Sequence, residues 1–241
     1  MGFYEEISKY YDNIFPTGDE QIRFLKEVAG RPPKTVLDIA CGTGGYSLEL
    51  AKQGYIVTGT DLDAEMVTQL DRKAKKEGLS IKSLQANMLD LESKLSDRYN
   101  LVFCIGNSIV HLENLHQIKE FLCSARKLLD LDGSLVLQII NFDRILLKDV
   151  RSLPTLVDNK IGLSFERYYN YDKQGNIIYF KTELKVDGKS YKNEIPLYPL
   201  LQDELIEAAT EAGFKKIKLF GDFNGKEFDK YNSFMLVLWA R

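Results

Sequence analysis

Cysteine is scarce, and its spacing excludes two classes of protein. Cys41, Cys104 and Cys123 are the only three in 241 residues and stand far apart. That is neither a zinc-ligand pattern nor a disulfide framework, so no metal is expected. Free thiols suit a reducing cytoplasm. Long apolar runs are missing too: none approaches the roughly 20 residues needed to cross a bilayer. The N-terminal stretch MGFYEEISKYYDNIF is acidic and aromatic, without the basic and apolar regions of a secretory signal. Basic blocks are short. KAKKEG is the longest and reads as the solvated end of a helix, in a chain whose net charge is −3. The expectation is a cytoplasmic protein with neither membrane nor nucleic acid as partner.

What is present is a regular alternation. KTVLDIA, YIVTGT, SIKSLQA, YNLVFCI and GSLVLQII are short runs rich in Val, Ile and Leu. Amphipathic stretches at 44–53, 64–77 and 115–129 stand between them. This predicts an α/β fold, a parallel sheet covered by helices on both sides, over a single domain spanning 1–241. Helical spacing at 3–15 and 19–29, joined by Pro16-Thr17-Gly18, predicts a helical cap over residues 1–30. FERYYNYD, IIYFKTELKVDG and SYKNEIPLY alternate with period two. The turn residues Gln174-Gly175-Asn176 and Asp187-Gly188 separate them, which predicts an antiparallel insertion over about 150–200. A helix from Gln202 to Ala212 and the strands FKKIKLFG and SFMLVLWAR close the chain.

Glycine and aspartate crowd the first two strand ends. In an open parallel sheet, ligands bind beyond the carboxyl ends of the strands. The loop Ala40-Cys41-Gly42-Thr43-Gly44-Gly45 lies at the first such end, where small residues let a ligand approach the backbone. Asp61, followed by Leu62, ends the second strand 23 positions after Asp38, placed to accept both hydroxyls of a ribose. A dinucleotide fingerprint would want a third glycine where Ser47 stands. Asp38, at the loop entry, is placed to hold a cationic amino group. Asn87 and Met88 after the third strand pair a polar with an apolar side chain, as an adenine ring requires.

LDIACGTGGYS, VTGTDLDAEMV, QANMLDL and FCIGNSIVHL, in that order, resemble the motifs of class I S-adenosylmethionine-dependent methyltransferases. NFDRIL, the Tyr-Pro of PLYPL and the GDF of FGDFNG narrow the similarity to glycine N-methyltransferases and bacterial glycine/sarcosine methyltransferases. The resemblance implies a seven-stranded Rossmann-like sheet whose last strand is antiparallel, with the insertion roofing the substrate side. It implies S-adenosyl-L-methionine as cofactor and methyl transfer to a small molecule, an amine such as glycine or sarcosine. O-methylation of a small metabolite, or cofactor binding without turnover, are the alternatives. Cofactor contacts then fall on Tyr11, Asp38, Ala40, Gly42, Gly44, Asp61, Leu62, Asn87, Met88, Cys104 and Ile105. Tyr11 offers its ring face to a sulfonium. His111 is the candidate base, Asn141 orients the acceptor and Arg144 pairs with a carboxylate, with Arg167 and Tyr198 as further candidates. The chain departs from the glycine enzymes just before Asn141, where Gln138-Ile139-Ile140 stands in place of His-Arg.

Overall fold

The computed structural model describes residues 8–241. A 3₁₀ turn at Ser8–Tyr10 leads into α1 (Tyr11–Ile14), and α2 (Asp19–Ala29) follows. The expected helix at 3–15 is thus shorter where described, and residues 3–7 lie outside the described residues. Next come β1 (Thr35–Ile39), α3 (Gly45–Lys52), β2 (Ile56–Asp61), α4 (Ala64–Lys76) and β3 (Ile81–Gln85). Then follow α5 (Leu91–Lys94), β4 (Tyr99–Cys104), a 3₁₀ turn at Ser108–His111, α6 (Leu115–Leu128) and β5 (Leu129–Ile140). After α7 (Phe142–Leu147) come β6 (Ser152–Asp158), β7 (Leu163–Asp172), β8 (Ile177–Val186) and β9 (Lys189–Leu197). Helix α8 (Gln202–Glu211) and strands β10 (Ile217–Phe220) and β11 (Met235–Ala240) complete the fold.

Local chemistry accounts for these elements. In α4 the Asp63 side chain caps the N-terminus, accepting from the N–H groups of Glu65 and Met66 at 2.8 and 3.3 Å. Met66, Leu70 and Ala74, four residues apart, are buried, while Lys73, Lys75 and Lys76 face the negative end of the helix dipole. Val36, Leu37 and Ile39 of β1 are all but fully buried because the strand is central and covered on both faces.

The seven strands order as β10-β11-β5-β4-β1-β2-β3. β11 runs antiparallel to both β5 and β10, and the pairs among β1 to β5 are parallel. Strand order reverses between β1 and β4, so a crevice opens at their carboxyl ends. A separate antiparallel sheet, β6-β7-β8-β9, stands over these ends. Its Tyr169 ring lies 6.3 Å from that of Phe142, just past β5, and Tyr198, just past β9, donates its N–H to the Val110 carbonyl at 2.9 Å. Three strands were expected here and four are found. Pro154 and an irregular register between Leu153 and Leu156 obscure β6, an edge strand where proline is tolerated.

The junction after β5 is held by one side chain. Asn141 is 1% exposed. Its Oδ1 caps α7 by accepting from the Arg144 N–H at 3.2 Å, and its Nδ2 donates to the carbonyls of Asp229, Lys230 and Ser233 at 3.4, 3.0 and 2.9 Å. Asn141→Ala removes the cap and strands the buried carbonyl of Ser233, so it should lower stability by about 1–3 kcal/mol. A thermal melt unchanged by the substitution would contradict this role.

Candidate active site

The loop after β1 bends through three positive φ angles: Ala40 at 57°, Gly42 at 55° and Gly44 at 83°. Glycine adopts them freely. Alanine does so with strain, which at Ala40 is held by the structure around it. Cys41 extends the β1–β2 pairing by one bond, its N–H donating to the Thr60 carbonyl at 2.9 Å. The Gly42 N–H donates to Asp61 Oδ2 at 2.8 Å, and Asp63 N–H donates to Asp61 Oδ1 at 2.9 Å. Each oxygen of this carboxylate keeps a lone pair that no protein donor fills in these contacts. Burial raises its pKa, with the backbone N–H donors opposing the shift.

A cavity of about 480 Å³ opens beside this carboxylate. Ala40, Gly42, Asp61 and Leu62 line one side, Ala86, Asn87, Met88 and Leu89 another, and Tyr11, Ser108, His111 and Leu112 the remainder. The Tyr11 ring lies against Gly42 so closely that a Cβ there would sit 2.8–2.9 Å from it. Asn87 accepts the Leu89 N–H at 3.0 Å, which leaves its amide nitrogen for a ligand. This volume suits a nucleoside with a short chain. His111 lines the cavity and is exposed, yet enough protein surrounds it to lower its pKa by desolvation. Its imidazole is therefore neutral near pH 7.

Seven of the residues expected at a cofactor line the cavity: Tyr11, Ala40, Gly42, Asp61, Leu62, Asn87 and Met88. Asp38, Gly44, Cys104 and Ile105 do not; they lie behind the loop and strand end as its support. Asp38 is 2% exposed and accepts from the Ser47 hydroxyl at 2.7 Å. Gly44 packs against Leu70, and Cys104 is fully buried. Of the acceptor-side candidates only His111 lines the cavity. Asn141 is occupied at both ends of its amide by the backbone bonds described above and lies outside the cavity lining. Arg144 lies with its guanidinium carbon 5.6 Å from the Phe234 ring centroid. Ser108, Glu113 and Gln117 join the lining without having been anticipated. Ser108 lies on the 3₁₀ turn, Glu113 just beyond it and Gln117 in the first turn of α6.

Residues 36–133 match a family model described as a methyltransferase domain. The chain is 29% identical over 223 residues to a glycine/sarcosine N-methyltransferase of Halorhodospira halochloris, a match covering 88% of this chain and 77% of that protein. Among solved structures, a methyltransferase from Streptomyces caelestis, CcbJ, superposes with a TM-score of 0.84 at 22% identity, covering 99% of this chain and 97% of that one. An S-adenosylmethionine-dependent methyltransferase from Clostridium acetobutylicum superposes at 0.81 with 14% identity, over 100% and 99% of the two chains.

Asp38 yields a prediction of its own. Desolvation pushes its carboxyl up to about 8, opposed by the Ser47 hydroxyl and reinforced by Asp61. In the unfolded chain the same group titrates near ~3.9. A raised folded value means that its contribution to stability is whole below about pH 4 and is lost as the pH rises toward 8. Unfolding free energy should therefore decline across that window. Asp38→Asn keeps an acceptor for Ser47 and should flatten the decline, as urea titrations at several pH values would show. An identical slope in the variant would mean that Asp38 is ionised throughout.

Proposed function

We propose that the chain is a class I S-adenosylmethionine-dependent methyltransferase whose acceptor is the nitrogen of a small amine bearing a carboxylate, such as glycine or sarcosine. The observation that carries the acceptor class concerns Arg144 and Arg167. Both lie close enough to the buried Tyr169 to act on its hydroxyl. Neither has an acidic partner among the described ion pairs. Neither lines the cavity, but two cationic side chains near one buried tyrosine, both without an acid, favour an anionic ligand. The similarity to glycine/sarcosine N-methyltransferases supports the same reading.

The residues present fit the cofactor. Asp61 has unfilled lone pairs for ribose hydroxyls, Asn87 and Met88 offer an amide and an apolar contact for adenine, and the bare backbone at Gly42 permits close approach. Tyr11 would cover the assembly and exclude water. When bound, S-adenosylmethionine supplies an electrophilic methyl group on a sulfonium, so the protein's task is mainly orientation. The amine must attack with a free lone pair. His111, neutral and on the cavity wall, is the group placed to accept the ammonium proton.

Two outcomes follow. S-adenosylmethionine and S-adenosylhomocysteine should raise the melting temperature, because each binds the native state. Asp61→Ala should weaken both by about 1–3 kcal/mol through loss of hydrogen bonds to a charged acceptor. A larger thermal shift from NAD than from either would undo the cofactor assignment.

Incubation with candidate amines, read by mass spectrometry, should show transfer to glycine or sarcosine at a rate that rises with pH toward the amine's own pKa. His111→Gln should depress the rate most at the acid end of that profile, where proton removal is hardest. Transfer only to a hydroxyl, a thiol or an uncharged amine would reassign the acceptor.

A further inference from the structure

Buried polar atoms in proteins are almost always hydrogen-bonded. Among the described residues four buried side-chain polar atoms lack a partner, and three of them are Arg167 Nε, Thr182 Oγ1 and Asn193 Nδ2. These three residues are not scattered. Arg167 of β7 stands directly opposite Thr182 of β8, and Thr182 directly opposite Asn193 of β9. Such neighbours have Cβ atoms about 4.5–5.5 Å apart, so the three side chains form one row across the sheet.

The row lies on the inner face. On β7 it shares that face with Phe165 and Tyr169, both buried. Phe165 meets the Phe15 ring at 5.8 Å, and Phe15 meets Tyr11, the residue over Gly42, at 5.2 Å. Tyr169, on the other side, meets Phe142 just past β5. The polar row thus separates two aromatic contacts, one leading to the cavity cover and one to the end of β5. On the opposite face the charges of Glu166, Lys185, Glu183 and Lys192 pair among themselves. Only the inner row is left unsatisfied.

The chemistry of the row is specific. Arg167 Nη2 donates to the Pro154 carbonyl at 2.7 Å, where the register of β6 is irregular, and this fixes the guanidinium. Its Nε–H, the Asn193 amide N–H and the Thr182 hydroxyl are all donors. Burial disfavours the charged guanidinium, and no acid offsets it. A row of unpartnered donors beside an uncompensated cation suits a small planar anion with two oxygens. Arg144, by contrast, already rests on the Phe234 ring.

We propose that Arg167, Thr182 and Asn193 form the subsite that reads the carboxylate of the acceptor, which makes the four-stranded sheet the specificity element of the enzyme. The assignment rests on the amino-acid acceptor proposed above, and its test separates the two. With the protein saturated in S-adenosylhomocysteine, ligand-observed NMR and thermal shifts compare acetate with acetamide, its uncharged counterpart. Acetate should bind and acetamide should not. Arg167→Gln should weaken acetate roughly tenfold or more, as expected for loss of a charge-assisted contact. Asn193→Asp keeps the side-chain shape and gives Arg167 an internal acid, so it should abolish acetate binding without lowering the melting temperature. Lys185→Gln, on the outer face, should leave acetate binding as it was.

The proposal is overturned if the wild type does not distinguish acetate from acetamide. It is equally overturned if both inner-row variants keep acetate, or if Arg144→Gln alone removes it. Transfer to glycine or sarcosine that neither inner-row variant impairs would keep the acceptor and sink the subsite. Acetate binding that is lost with Arg167, in a protein inert toward both amines, would keep the subsite and withdraw the acceptor.

Discussion

One carboxylate sets the geometry on which the cavity depends. A loop that turns through positive φ angles cannot satisfy its N–H groups by regular pairing, and the Gly42 N–H would be left without a partner. Asp61 takes it at 2.8 Å. The same side chain receives the Asp63 N–H, and Asp63 in turn caps α4. The end of β2, the glycine loop and the start of a helix are therefore one hydrogen-bonded unit. Removing the carboxylate from water raises its pKa, so the arrangement spends stability to keep two oxygens facing a cavity. A structure without a ligand gains nothing from that. Under the proposed function, a ribose would bring hydroxyl donors and return it.

The helix that covers the cavity with Tyr11 is tied to both sheets. In α1, Asp12 accepts from the Thr43 hydroxyl of the glycine loop and from Lys73 of α4. Its neighbours reach the other way, Asn13 to Asp158 and Tyr10 to Asp187, at the ends of β6 and β8. Partly exposed polar contacts of this kind contribute little each. The cohesion comes from Ile14, Leu163, Phe165 and Leu184, which are buried together at about 1.5–3 kcal/mol for each large side chain. Polar contacts fix the register of the cover, and apolar contacts hold it there. The insertion is thus packed against the helix that carries Tyr11, while its own strands stand outside the cavity lining.

Much of this was legible in the sequence because the signals are local. Period-two runs and helical spacing give the elements, and the glycine loop with Asp61 points to the carboxyl ends of β1 and β2. The parts that were not legible depend on contacts far apart in the chain. Asn141 reads as a functional amide from its place after a strand. Its amide is spoken for by carbonyls 88 to 92 residues away, which no nearby residue betrays. Asp38 reads as a ligand contact, yet Ser47, one turn into α3, draws it behind the loop. Strand β6 was hidden by its own proline. Arg167 was visible as a candidate, but its partners Thr182 and Asn193 emerge only when the register of three strands is known.

Charge is distributed unevenly across the reaction site, and this bears on how two substrates are arranged. Asp38 and Asp61 lie on the β1–β2 side, where burial raises both carboxyls. Arg144 and Arg167 lie on the side of α7 and the four-stranded sheet, without acids to pair with among the described ion pairs. The acids have hydrogen-bond donors but no cation, and the arginines have no anion among the described ion pairs. Bringing the two pairs together would collapse the cavity. Under the proposed reaction Asp61, which lines the cavity, would be relieved by a cofactor that carries positive charge, and the basic end by an acceptor that carries a carboxylate. An amino acid held by its carboxylate at the basic end must point its nitrogen away from that end, toward His111 and the cavity. Under that proposal, the same charge separation would orient the nucleophile toward the methyl group.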